Sequence, residues 1–250
     1  MRIATYNIYL GGTGRFEAIH AVLAHLNADV IALTEADDPK LVASLAERLE
    51  MHHVWAKGSG NRHIATLSRF PILEWHIYNT PPLTQAVLET RFDVGEKNLT
   101  LYNVHFLPYL LLPFEIRRWQ AVGKLLKIIQ AKQPGPHLIL GDLNAIAPDD
   151  RVLQHRNPAR MRRIMGLQLG VIFHFAIHRL LKAGYTDCYR YIHPKEDGFT
   201  WYPANPTTRY DYILADATIT AHLQSCQVIN DIDVLEQASD HMPLVADFEI

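Results

Sequence analysis

Residues 137–144, His-Leu-Ile-Leu-Gly-Asp-Leu-Asn, are the most informative stretch of the chain. An apolar run that ends in a tight glycine turn predicts a buried strand with polar residues at its C-terminal edge, where α/β sheets place their chemistry. Because side chains alternate along an extended segment, Asp142 and Asn144 are expected to point the same way, with Leu143 in the core. The alternative is an Asx turn after a strand, since Asp and Asn are common in turns.

The composition favours a globular protein with a large core. The chain has 250 residues, of which 48% are hydrophobic, and it shows no internal repeat or clear linker, so one domain spanning 1–250 is expected. The formal net charge is −2, so a polyanionic partner would have to meet a local basic patch. Cys188 and Cys226 are too few for a disulfide framework and lack the spacing of a zinc site.

The first residues and the hydropathy bear on localisation. Residues 2–8 have a strand pattern with no apolar signal region before them, and no apolar run approaches the length that spans a membrane. Two cysteines without a disulfide pattern suit a reducing compartment. We therefore expect a soluble cytoplasmic protein, and we expect it to be a monomer.

Polar residues also stand at the ends of other predicted strands. Asn7 and Glu35 lie near the ends of strands predicted over 2–9 and 29–36, and His105 lies near the end of a later strand. Carboxylates at such positions are candidate cation ligands, while a single histidine is more often structural.

Asp211 interrupts an otherwise apolar and aromatic strand near the end of the chain. A carboxylate there has to be paired or hydrogen-bonded, because burying it alone is expensive. His241, which follows Asp240, is the obvious partner type.

Taken in order, these residues and their neighbours resemble the endonuclease/exonuclease/phosphatase superfamily, which includes DNase I-like nucleases, abasic-site endonucleases, sphingomyelinases and inositol polyphosphate phosphatases. The resemblance implies an α/β fold, a four-layer α/β sandwich in which two packed mixed β-sheets are flanked by helices. The matching pieces span nearly the whole chain: Thr5-Tyr6-Asn7-Ile8, Thr34-Glu35, Leu67-Ser68-Arg69-Phe70-Pro71, Val104-His105, Gly141-Asp142-Leu143-Asn144, Arg209-Tyr210-Asp211-Tyr212-Ile213 and Ser239-Asp240-His241-Met242-Pro243-Leu244.

The resemblance also implies a phosphodiester hydrolase that needs Mg²⁺, with Mn²⁺ as a substitute. Magnesium prefers one or two carboxylates together with water and phosphate oxygens, which suits Glu35 and Asp240 with Asn7 close by. By the same resemblance, three further residues have catalytic roles. Asp142 would orient or deprotonate the attacking water, Asn144 would hold the nucleophile or a phosphate oxygen, and His105 would hydrogen-bond a phosphate oxygen.

The pair of His241 with Asp211 matches the Asp–His pair of the family. It acts either as a general base or as a charged phosphate clamp, and the sequence leaves both roles open. Arg69, just before a Phe-Pro turn, is a candidate substrate contact, although an arginine at a strand end is more often a surface charge.

Two departures from the family pattern bear on the substrate. Many abasic-site endonucleases have an acidic residue where this chain has Tyr9, and a tryptophan where it has Thr208. Both differences argue against an abasic-site substrate. Thr34 replaces the usual glutamine before the metal-binding Glu35, which alters hydrogen bonding around the ligand without removing it.

The segment from about 151 to 182 changes in character. It carries basic residues and no acidic one, and it includes an apolar run over 167–177; another apolar loop covers 109–114. Such a segment could follow a phosphate backbone, lie on an anionic membrane surface, or be a helix pair with ordinary surface arginines. The first interpretation assigns backbone contacts to Arg156, Arg160, Arg162 and Arg163.

Three functions follow from these observations. The leading one is a metal-dependent phosphoric ester hydrolase of the nuclease kind, which cleaves DNA or RNA, with DNA favoured. The second keeps the chemistry and takes a phospholipid or sphingomyelin as substrate. The third is a catalytically silent relative that only binds a partner; the presence of every expected site residue argues against it.

Overall fold

A computed structural model describes residues 1–58, 60, 62–83, 85–95 and 98–250. The strands are β1 (Arg2–Asn7), β2 (Val30–Thr34), β3 (His52–Ala56), β4 (Ile64–Ser68), β5 (Ile72–Tyr78), β6 (Val87–Asp93), β7 (Asn98–His105), β8 (His137–Asp142), β9 (Thr186–Asp187), β10 (Asp211–Ala215), β11 (Leu223–Val228) and β12 (Leu244–Phe248). The helices are α1 (Phe16–Leu26), α2 (Pro39–Arg48), α3 (Leu112–Lys132), α4 (Ala159–Gly166), α5 (Phe175–Lys182), α6 (Cys188–Ile192), α7 (Ala217–Thr220) and α8 (Leu235–Ala238).

The strands form two six-stranded sheets. Their strand orders are β11-β12-β1-β2-β4-β3 and β5-β6-β7-β8-β10-β9. Each sheet has one central parallel pair, β1 with β2 and β7 with β8, and its other neighbouring strands pair antiparallel. Both sheets are therefore mixed, as the sequence predicts.

Apolar layers lie between the sheets and on both outer faces. The layer between the sheets takes Ile3 from one and Leu140 from the other. Helices α1, α2 and α8 pack on the outer face of the first sheet, and α3 and α5 pack on that of the second. The four-layer α/β sandwich is confirmed.

Strand alternation carries polar side chains to the end of the layer between the sheets. In β8, Leu138 and Leu140 face this layer, so Asp142, two residues further on, points to the same side of the sheet. In β1, Ile3 faces it, so Asn7 continues that side too. Two polar residues thus close one end of an apolar interior.

Gly141 permits the close approach of β7 and β8. Its φ is 134°, and a Cβ at this position would collide with the carbonyl oxygen of Val104 on β7. The parallel register then sets His105 directly beside Asp142. On the other side of β8, the antiparallel register sets Asp211 beside the same aspartate.

The basic segment folds as α4 and α5 with a turn and loop between them. The apolar run that the sequence shows over 167–177 divides into two parts: Leu167 and Leu169 are 79% and 93% exposed, whereas Ala176 and Ile177 are buried against α3. In the loop over 109–114, Leu110 is buried while its neighbours on either side are partly or largely exposed. Within the described ranges, no helix combines the length and apolar character needed to cross a membrane.

Candidate active site

Strand ends from both sheets meet at one place. β1 contributes Asn7 and the residue after β2 is Glu35, while the second sheet contributes His105, Asp142 and Asp211 from three adjacent strands. The Nδ2 of Asn7 donates to the Oδ2 of Asp142 over 2.9 Å, and it lies 3.5 Å from the Oε1 of Glu35. These side chains, which are scattered along the sequence, therefore form one site.

Asp142 is buried at the centre of this site. Its Oδ1 accepts a hydrogen bond from the backbone N–H of Asn144 over 2.9 Å. The same aspartate therefore forms the Asx turn and lies in the candidate site. Burial raises the pKa of the Asp142 carboxyl to about 8, and the charge of Asp211 adds to the effect. A carboxyl group with a pKa near neutrality can accept and release a proton under physiological conditions.

His241 forms a buried pair with Asp211. The Nδ1 of His241 is 2.7 Å from the Oδ2 of Asp211, and its Nε2 is 3.8 Å from the Oδ2 of Asp142. Burial opposes a charge on the ring, but the carboxylates of Asp211, Asp142 and Asp240 outweigh it and raise the pKa of His241 to about 10. At neutral pH the ring is a cation, which suits a phosphate clamp better than a general base.

His105 has the opposite electrostatic character. Burial, followed by the positive charge of His241, lowers the pKa of His105 to about 3. Its Nε2 lies 3.6 Å from the Oδ2 of Asp142, too far for a hydrogen bond, and its Nδ1 has no partner among the described residues. A neutral imidazole therefore faces the site with hydrogen-bonding capacity to spare.

Glu35 and Asp240 supply oxygens of the kind a hard cation prefers. The Oδ2 of Asp240 lies 3.3 Å from the Nε1 of Trp201, and its Oδ1 is buried without a partner in the part of the chain that the structure describes. Burial raises the pKa of the Asp240 carboxyl, and the charge of Glu35 raises it further. A divalent cation would satisfy this oxygen and neutralise the repulsion, so the donor set fits Mg²⁺.

A second group of candidate ligand atoms lies beside this one. One ligand atom each from Asp142, Asp211 and His241 can be chosen so that all three lie within 4.8 Å of one another. The Nδ1 of His241 already bonds Asp211, and the ring is cationic at neutral pH. Because a histidine must be neutral to bind a metal, we interpret this group as a hydrogen-bonded pair beside a carboxyl group.

Several supporting residues were not predicted from the sequence. The Oγ of Ser239 donates to the carbonyl of Asn7 over 2.6 Å and accepts the N–H of His241 over 3.1 Å. The Oγ1 of Thr200 accepts the N–H groups of Tyr210 and Asp211. The position of Ser239 directly before Asp-His was an available signal, whereas the sequence around Thr200 contains none.

Asn144 departs from the predicted geometry. The chain leaves the extended conformation after Asp142, and Asn144 has a φ of 48°, so strand alternation does not extend to it. Its Nδ2 donates to the carbonyl of Phe106 over 3.0 Å. The side chain thus links the loop after β8 to the end of β7.

Arg69 lies at the other end of the first sheet, so its prediction as a substrate contact is wrong. It donates to the Oδ1 of Asn27 over 2.7 Å and lies 3.8 Å from Asp29. β4 runs antiparallel to β2, so Arg69 is beside the start of β2 whereas Glu35 follows its end. An arginine that the sequence did not single out, Arg62, lies near the site instead; its Nε is 3.3 Å from the Oε2 of Glu35.

The four arginines predicted to contact a phosphate backbone are exposed, and they lie on and just before α4. Met165 of this helix belongs to a buried cluster with Ile146 and Tyr210. The ring of Tyr210 is 6.4 Å from that of His241. The basic segment is therefore anchored in a cluster whose Tyr210 lies near the pair of His241 and Asp211. The arginines are Arg156, Arg160, Arg162 and Arg163.

Comparison with solved structures shows that the fold occurs in other proteins. The 3′ phosphatase NExo from Neisseria, bound to a product DNA hairpin, has a similar fold with a TM-score of 0.75, 20% identity and complete coverage of both chains. An AP endonuclease from Archaeoglobus fulgidus gives a TM-score of 0.76 at 20% identity, also over both whole chains. Truncated TDP2 from Caenorhabditis elegans gives 0.68 at 15%, covering 100% of this chain and 97% of that one.

At these identities the solved structures show similarity of fold alone. A family model described as the Endonuclease/Exonuclease/phosphatase family matches residues 4–241, nearly the whole sequence. The members of this family are phosphoester hydrolases. This chain therefore belongs to the Endonuclease/Exonuclease/phosphatase family.

Proposed function

We propose that this protein is a Mg²⁺-dependent phosphodiesterase that cleaves nucleic acid, preferably DNA, by attack of water. The observation that carries the proposal is the position of Asp142, which accepts a hydrogen bond from Asn7 of the other sheet and lies 3.8 Å from the cationic ring of His241. A proton acceptor and a positive charge at this separation can serve the attacking water and the phosphate together.

Each remaining residue has a part in this chemistry. Glu35, Asp240 and Asn7 would hold the cation, which when bound supplies a Lewis acid that polarises the phosphate and offsets its charge. Asp142, in its ionised form, takes the proton of the attacking water as the water oxygen bonds to phosphorus and the bond to the leaving oxygen breaks. His241, oriented by Asp211, stabilises negative charge as it develops on the phosphoryl oxygens.

His105 contributes a neutral hydrogen-bonding ring. Its lowered pKa excludes a second positive charge beside His241 at neutral pH. A neutral ring can still donate one hydrogen bond to a phosphate oxygen. The Nε2, which lies 3.6 Å from the Oδ2 of Asp142, is the nitrogen placed to do so.

Two observations support nucleic acid as the substrate. The arginines on and near α4 are exposed and belong to a segment whose Met165 packs in a cluster with Tyr210, and clustered arginines suit a row of backbone phosphates. The similar Neisseria protein was solved with a product DNA hairpin. We assign the backbone contacts to Arg156, Arg160, Arg162 and Arg163.

A specific observation also favours a second candidate, hydrolysis of phospholipid or sphingomyelin. Leu167 and Leu169 are largely exposed at the turn after α4, and the three arginines of that helix precede them in the sequence. Exposed leucines with basic neighbours are the combination that an anionic membrane surface attracts. Co-sedimentation with zwitterionic and anionic vesicles tests this candidate, and the absence of binding to either would exclude it.

The decisive experiment is a panel of supercoiled, linear and abasic DNA, RNA, sphingomyelin and small phosphate esters, each assayed with Mg²⁺, with Mn²⁺ and with EDTA. We expect cleavage of DNA that needs the metal and that Asp142→Asn reduces by about a hundredfold or more. If no nucleic acid is cut with either metal, the nuclease assignment fails. Equal activity of wild type and Asp142→Asn would instead show that the cleavage does not come from this site, as expected if the protein only binds a partner.

A further inference from the structure

A cleft of about 450 Å³ opens directly beside Asp240. Its volume falls within the range of small-molecule sites, about 300–1,000 Å³. Its walls come from the turn after β1, which includes Tyr9 and Leu10, and from the loop that contains Tyr202, together with α8 and the residues that follow it. The cleft therefore adjoins the proposed metal ligand, but no step of the proposed hydrolysis uses it.

Catalytic residues hold the turn that forms one wall. Tyr9 and Leu10 both have positive φ angles, 50° and 47°, a conformation that is uncommon for residues other than glycine. The Oδ1 of Asn7 accepts the N–H of Tyr9 over 2.9 Å, and the Oε2 of Glu35 accepts the N–H of Leu10 over 2.7 Å. The position of the Tyr9 ring, 39% exposed, is thus tied to the site itself.

The opposite wall is tied to the site as well. Tyr202 is 40% exposed, and its ring centroid lies 5.6 Å from that of Trp201. The Nε1 of Trp201 donates to the Oδ2 of Asp240 over 3.3 Å. Two exposed aromatic rings therefore line one cleft, and each is fixed through a neighbour to a residue of the site.

The charges of the cleft do not suit a phosphate group. Its charged lining residues are Arg15, Glu236 and Asp240. The guanidinium of Arg15 donates to the carbonyls of Ala238 and Tyr9, so much of its hydrogen-bonding capacity is used within the protein. A phosphate would meet two carboxylates, whereas an uncharged planar group would meet two tyrosine side chains and the side chain of a leucine.

We infer that this cleft binds the nucleoside next to the scissile phosphate, with its base stacked against Tyr9 and Tyr202. The inference rests on the proposed function and specifies its substrate as a nucleotide chain that bears bases. Every base has a π face, so stacking of this kind tolerates any sequence. The cleft would thus favour a nucleic acid over a phosphodiester without bases, and it would select no particular base.

The test compares two single-stranded oligonucleotides of equal length, one of ordinary nucleotides and one made wholly of base-free sugar phosphates. For the wild-type enzyme we expect kcat/KM to be at least about fivefold higher on the first, which is the lower end of what stacking of a base on an aromatic side chain contributes. Tyr9→Ala and Tyr202→Ala should each reduce that ratio toward one, chiefly through KM. Tyr9→Phe and Tyr202→Phe should preserve it, because the ring remains.

The control variant is Tyr191→Ala, which removes a ring that is 62% exposed and outside the cleft, and it should leave the ratio and the activity unchanged. Binding of both oligonucleotides in EDTA, measured by fluorescence anisotropy, gives the same ratio without turnover. Alanine variants that keep the wild-type ratio, or phenylalanine variants that lose it, would overturn the inference. If nothing is cut although the binding ratio behaves as expected, the proposed function fails and the cleft assignment stands.

Discussion

Asn7 of β1 and Asp142 of β8 belong to different sheets, and the Nδ2 of one donates to the Oδ2 of the other over 2.9 Å. The site is therefore located where the two sheets meet, and its geometry depends on how they pack. Asn103 of β7 makes a second connection of this kind, because its buried Nδ2 donates to the carbonyls of Leu33 and Ala65 in the first sheet.

Replacing Asn103 with alanine should destabilise the fold. The change removes two buried hydrogen bonds, of 3.1 Å and 2.8 Å, and leaves a space in the interior, so we expect the free energy of unfolding to fall by about 2 kcal/mol or more. Urea unfolding measures this loss. Asn230→Ala, at an exposed position, is the matched control and should change stability by less than about 0.5 kcal/mol. Equal stability of the two variants would show that the connection between the sheets contributes little.

The sequence predicts the centre of the site because local signals and burial agree there. A short run of apolar residues that ends at Gly141 favours a buried strand, so Asp142 is expected at its end. Asp211 cannot be buried alone, which indicates a partner such as His241. In both cases the other arrangement, an exposed apolar run or an unpaired buried carboxylate, has a high free-energy cost. The sequence pattern therefore predicts the structure at these positions.

The remaining details depend on chain geometry that the sequence pattern does not contain. Asn144 follows the strand with a positive φ, and the alternation of side chains along a strand does not predict this conformation. Arg62, for which the sequence predicts no role, lies near Glu35, whereas Arg69 does not, because the antiparallel pairing of β2 and β4 sets which end of a strand faces the site. β3 was not predicted either, since it is an edge strand whose first two residues, His52 and His53, are exposed.

His105 should make the protein less stable in mild acid. Burial lowers its pKa to about 3 in the folded state, against about 6.5 when unfolded. Below about pH 6.5 the unfolded chain binds the extra proton, so the stability that is fully present above that pH is lost as the pH falls toward about 3. Between about pH 7 and about pH 5, the difference in unfolding free energy between wild type and His105→Gln should shift by about 2 kcal/mol against the wild type.

Urea unfolding of the two proteins across this pH range measures the effect of His105 alone, since every other titrating group is present in both. The assay is run in EDTA, so that metal binding does not contribute. A pH-independent difference would mean that the ring is protonated in the folded state or exposed to solvent.

The arginines near α4 should set the salt dependence of DNA binding. Each phosphate contact that is lost lowers the slope of log K against log salt by about 0.9 for duplex DNA. Replacing Arg160 and Arg163 together with glutamine should therefore lower the slope by about 2. Binding is measured in EDTA so that the DNA stays intact. Arg69→Gln, at the far end of the sheet, is the matched control, and a slope that falls equally in the control would contradict the assignment.

Mg²⁺ should stabilise the protein through Glu35 and Asp240. The Oδ1 of Asp240 is buried without a partner among the described residues, and the charge of Glu35 raises the pKa of that carboxyl. A bound cation would give this oxygen a ligand bond and offset the repulsion between the two carboxylates. At about a hundredfold excess over its Kd, a ligand adds about 2.7 kcal/mol, which raises Tm by about 5 to 10 °C in a chain of this size. Glu35→Gln and Asp240→Asn should lose most of this shift, whereas Asp233→Asn, at an exposed position, should keep it. If both site variants keep the full shift, the cation binds elsewhere, and the group of Asp142, Asp211 and His241 becomes the first place to look.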